Sequence, residues 1–79
     1  GAEKTLREMG KVAGFSPVEY MTDYRDDYVV VRYVGLGEKK LKYFEATLSG
    51  TQKTGYKISA FIESDTAFKP FRTGKRFAD

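Results

Sequence analysis

Between Phe68 and Phe77 the chain reads FKPFRTGKRF: four cations (Lys69, Arg72, Lys75 and Arg76), three phenylalanines and no acidic residue. Cations of this kind gain binding free energy by releasing counterions from phosphates, and aromatic faces stack on unpaired bases. Basic and aromatic residues interleaved in an extended segment suit a single-stranded nucleic acid better than a duplex groove. Phe71 supplies a stacking ring, and Arg32, Lys40, Lys42, Tyr43 and Lys57 are placed to continue the surface along the rest of the chain. Lys42 falls on a core-facing position, from which a long side chain near a strand end can snorkel outward. Charge is unevenly distributed in the same sense. Residues 1–38 carry five basic and seven acidic side chains, whereas 39–79 carry nine basic and four acidic ones. The ordinary alternative is a solvated basic face on a domain of net charge +3, with the tail phenylalanines pinned to the core.

Other chemistry is thinner. Asp23, Asp26 and Asp27, with Glu19 nearby, form an acidic cluster of oxygen-only ligands such as magnesium or calcium would take. Turn chemistry is the preferred reading, because the spacing fits no calcium loop. Gly35-Leu36-Gly37 before Lys39-Lys40 lacks the spacing of a phosphate-binding loop and reads as a hairpin turn. The six tyrosines suit half-buried sheet positions with their hydroxyls at the rim. The chain has no histidine and no cysteine, which excludes Ser-His-Asp, Cys-His, thiolate and ordinary zinc chemistry. No catalytic residue, metal ligand or cofactor is therefore expected.

These residues must be positioned by one small domain spanning 1–79, near the size at which a single core barely suffices. Without disulfides or thiolate metals, assembly is the remaining way to bury more surface. Residues 5–14 read as a helix, with Thr5 and Glu8 at capping-box spacing, Leu6, Met9 and Val12–Ala13 on one stripe, and Gly14 to end it. Ala2 extends the stripe, and an interior Gly10 costs up to about 1 kcal/mol against alanine. Strands are expected at 18–24, 27–35, 40–48 and 56–63, with a fifth at 68–72 that Pro70 confines to an edge. The β-branched run Val29–Val31 and the aromatics of 40–48 make the central antiparallel hairpin. No apolar run approaches membrane-spanning length, and no signal peptide is visible. Gly1 in place of methionine points to a tag remnant or a trimmed start. Absence of cysteine fits cytoplasm and export alike, with the cytoplasm preferred.

Facing decides what assembly is for. With Ile58, Ala60 and Ile62 toward the helix, their partner rows are Phe44, Ala46 and Leu48 and then Val29, Val31 and Tyr33. The opposite face carries Tyr28, Val30, Arg32, Val34, Leu41, Tyr43 and Phe61. Both faces are apolar in the middle, so one short helix is not enough cover. The expected fold is mainly β (α+β): an N-terminal helix and a strongly bent four- or five-stranded antiparallel sheet closing into a small barrel. An open antiparallel sheet gripping the helix is the alternative. The element order is similar to that of Sm-like RNA-binding ring proteins, and also to that of cystatin-like folds. The first resemblance implies a homo-oligomeric, non-enzymatic module binding single-stranded RNA or DNA. The second implies a protein-interaction or inhibitor domain docking a partner through Val30, Leu41, Tyr43 and Phe61. An acidic first turn and a basic second half would also suit head-to-tail contacts closing a ring.

Overall fold

The computed structural model describes residues 2–23 and 25–76 of the chain. Helix α1 spans Ala2–Met9 and is followed by strands β1 (Val12–Asp23), β2 (Tyr28–Gly37), β3 (Leu41–Thr51), β4 (Gly55–Ser64) and β5 (Lys75–Arg76). The β-branched and aromatic residues of β2 and β3 pair along nine positions, with Val31 opposite Ala46 and Tyr33 opposite Phe44. The protein is mainly β, as composition and pattern indicate. All neighbouring strands are antiparallel, in the order β4-β3-β2-β1-β5. β4 and β5 lie at opposite edges, so the sheet is open and does not close into a barrel.

The helix is shorter and earlier than the sequence pattern suggests. Gly10, at φ 74°, takes the left-handed conformation that stops it, and its N–H donates to the Leu6 carbonyl at 3.0 Å. Thr5 and Glu8 therefore lie inside the helix rather than forming a capping box. The last turn is held by the β2–β3 connection, where Lys39 N–H donates to the Met9 carbonyl at 2.9 Å. Met9, completely buried, fills the space that Gly35 leaves open beside Phe15 and Phe44. Burying a side chain of that size stabilises by about 1.5–3 kcal/mol. Gly35 and Gly37 thus belong to β2 and not to a turn; the connection is residues 38–40.

β1 begins six residues before its expected start and runs through Pro17. Val18 is an extra residue between the pairs Pro17–Tyr33 and Glu19–Arg32, and β5 pairs at Glu19 and Tyr20. Among the described residues no strand pairs with the outer side of β1 at Pro17, an edge position of the kind at which a strand tolerates proline. A second irregularity corrects the facing of β4. Ala60 pairs with Thr47 and Ile58 with Leu48, leaving Ser59 as a bulge. Ile58 keeps the helix side, but Ala60 and Ile62 turn to the far face, and Phe61, opposite Ala46, turns to the helix side. The rows Phe44, Ala46, Leu48 and Val29, Val31, Tyr33 do share the helix side.

No strand forms over 68–72. Residues 67–71 carry no regular structure and cross the far face before the two-residue β5. Cover for that face comes in part from the chain's own C-terminal segment. The core is small: Met9, Val30, Phe44 and Ala46 are its buried apolar residues among those described.

Candidate functional site

Two ionic clusters account for several of the residues expected to meet a nucleic acid. On the far face, cross-strand pairing sets Glu19, Arg32 and Glu45 side by side on β1, β2 and β3. Arg32 Nε lies 2.7 Å from Glu45 Oε2, and its Nη1 lies 3.5 Å from Glu19 Oε1. The same Nη1 donates to the Lys69 carbonyl at 2.6 Å, while Phe71 N–H donates to Glu19 Oε1 at 2.7 Å. The guanidinium stacks against Phe71, 3.7 Å from its ring centre, with Phe68 at 4.9 Å. Arg32 and Phe71 are thus joined to each other and hold the C-terminal segment onto the sheet.

At the helix end of the sheet, Lys42 is buried rather than snorkelling. Its Nζ sits 3.0 Å from Glu8 Oε2 and 2.9 Å from Asp65 Oδ1, and Lys40 Nζ lies 2.6 Å from the same Asp65 oxygen. Hydrogen bonds from Lys40 and then Lys42 pull the Asp65 carboxyl down to about 2. The hydrogen bond from Lys42 lowers Glu8, and those to Asp65 and Glu8 raise Lys42 in turn.

The other expected contacts do not converge. Tyr43 is half-buried on the far face, and Lys57, Lys69, Arg72 and Lys75 are exposed and make no ion pair among the described residues. Lys57 on β4 and Lys75 on β5 stand at opposite edges. The side chain of Arg76 and the whole of Phe77 lie outside the described residues, as does Tyr24. Of the four residues expected to dock a partner, Val30 is buried, Leu41 and Tyr43 stay on the far face, and Phe61 faces the other way. The aspartates form a turn: Asp23 Oδ1 accepts from the N–H groups of Arg25 and Asp26 at 2.9 and 3.1 Å. Among the described residues no group of three carboxylates gathers to hold a metal.

What the pattern does not reveal is a row of rings across the helix-side face, one from each of four strands. Phe15 and Tyr33 are 5.9 Å apart edge-on, Tyr33 and Phe44 stack at 5.2 Å, and Phe44 and Phe61 lie at 5.8 Å. Phe44 is buried, but Phe15 and Phe61 at the two ends are 57% and 52% exposed. With Leu6 and Met9 of the helix they line an apolar groove of about 560 Å³. Thr5 Oγ1 donates to Glu63 Oε2 at 2.8 Å at one rim, and burial pushes the Tyr33 phenol up. Phe15 lies between the helix expected over 5–14 and the strand expected from 18, so the sequence pattern assigns it no facing. Phe61 is expected on the far face, with the partner-docking residues, and the bulge at Ser59 reverses its side.

No helix among the described residues is long and apolar enough to cross a membrane. Comparison of the chain with protein-family models, with curated proteins and with solved structures finds no match.

Proposed function

We propose that the chain is a non-enzymatic binding module that docks an apolar segment of a partner protein in the helix-side groove. The observation that carries the reading is the four-ring row, exposed at both ends, with Leu6 beside it 52% exposed. A groove of this size with one polar rim falls within the range of binding sites, and exposed contiguous aromatics mark interaction surfaces. The test is selection from a displayed library of linear peptides, followed by titration of the enriched sequences. Enriched peptides carry aliphatic or aromatic anchors, bind equally at 50 and 500 mM salt, and lose about tenfold or more in affinity against Phe15→Ser or Phe61→Ser. Enrichment of none, or unchanged affinity in both variants, overturns the reading.

A second reading keeps the single-stranded nucleic acid suggested by the Sm-like order of elements, with the chain acting as a homo-oligomer. It is supported by Lys57, Lys69, Arg72 and Lys75, which make no ion pair among the described residues, and by the exposed faces of Phe15 and Phe61. Titration of a fluorescent single-stranded oligonucleotide separates the two. Affinity falls steeply with salt and drops on Arg72→Glu with Lys75→Glu if phosphates are bound. Absence of binding at low salt removes this reading.

A further inference from the structure

We infer that two copies of the chain associate through β4, edge to edge and antiparallel, to make one continuous sheet. The two edges of the sheet are treated differently. On the β1 side, Pro17, the bulge at Val18, the inward Glu19 and the paired β5 all blunt the edge. β4 is a ten-residue strand whose residues 55–63 are exposed, with Tyr56 54%, Ile58 66%, Phe61 52% and Ile62 49% accessible. It contains no proline, and its outer side has no strand beside it among the described residues. A long apolar edge of this kind templates another strand.

The occupant is a second copy because β4 complements itself. Its bulge divides it into two blocks of opposite facing, Gly55–Ile58 and Phe61–Ser64. An antiparallel mate keeps helix-side residues on the helix side only when each block meets the other block of the second copy. Ile58 then stands opposite Phe61 and Lys57 opposite Ile62, with Ser59 and Ala60 at the two-fold axis. The strand carries one lysine, Lys57 on the far face, and one glutamate, Glu63 on the helix side, at its two ends, so the antiparallel arrangement keeps like charges of the two copies apart. Covering four half-exposed side chains at roughly 100 Å² each, with the backbone edge, gives a junction at the small end of stable interfaces. The association is correspondingly weak and concentration-dependent. Phe61 also ends the aromatic row, so the second copy extends that row across the axis. The inference rests on β4 alone and holds whether or not the groove docks a partner.

Light scattering across a concentration series is the first readout. The mass rises from 9.0 kDa toward twice that value. Ile58→Lys with Ile62→Lys stays at 9.0 kDa while keeping the wild-type far-ultraviolet dichroism, and Leu6→Ser, away from the edge, dimerises as before. The chain has no cysteine, so single introduced thiols report the register. Ala60→Cys, at the axis, cross-links under mild oxidation. Lys57→Cys, which stands opposite Ile62 of the second copy and so five positions, about 17 Å, from its own counterpart, does not. A monomer at every concentration, a mass beyond two copies, undiminished dimerisation of the lysine variant, or cross-linking of Lys57→Cys as fast as Ala60→Cys overturns the inference.

Discussion

At the scale of single residues, the charges that looked like a ligand surface are first of all structural. Arg32 is 15% exposed and answers two carboxylates, Glu19 at 4% and Glu45 at 16%, so removing it takes a shared cation from both. Arg32→Met is expected to cost roughly 3 kcal/mol in urea unfolding, with faster tryptic cleavage after Arg72 as the C-terminal segment loses its anchor. Asp65 works with the opposite sign of charge. Its folded carboxyl is lowered to about 2 and that of Glu8 is lowered as well, so their stabilisation is complete above the ordinary carboxylate range. It is lost as pH falls from about 4 toward 2, where the folded state takes up the proton. Lys42 is raised, so its share is present below the ordinary lysine value and is lost as pH climbs through the folded one. Asp65→Asn is expected to flatten the acid limb of a stability-against-pH curve between 4 and 2. An unchanged limb would show that the Lys40–Asp65–Lys42 contacts contribute nothing.

At the scale of elements, glycine placement decides how helix and hairpin meet. A Cβ on Gly37 would stand 2.5 Å from the Met9 carbonyl oxygen and 2.7 Å from that of Lys40, both backbone atoms that cannot step aside. A Cβ on Gly35 meets chiefly the flexible end of Met9 at 2.6 Å. Gly37→Ala is therefore expected to cost more than Gly35→Ala, about 2–3 kcal/mol against about 1, by thermal or urea melts. The hairpin itself was legible, because Val29–Val31 and Phe44–Leu48 fit only a pleated, half-buried surface. The helix end was not, since Gly10 reads equally as an interior glycine or a left-handed stop until its φ is known. The facing of β4 was not legible either, because Ser59 carries no mark of a bulge and one extra residue moves every later side chain across the sheet. The role of Arg32 needed register as well as composition. Glu19 and Glu45 are thirteen residues away on either side and become neighbours only once three strands are aligned.

At the scale of the whole molecule, which measures 40 × 27 × 17 Å, the sheet is open, with one face strapped by the chain's own C-terminal segment. On the far side the chain's own C-terminal segment lies against the sheet, which does not close into a barrel. Among the described residues, what remains free is the ends of the aromatic row on the helix side and the unpaired edge of β4. Backbone amide resonances followed from dilute to concentrated protein test this division most directly. The expected result is concentration-dependent shifts along residues 55–64 with those of 67–76 unmoved. Shifts centred on 67–76, or none at any concentration, would contradict it.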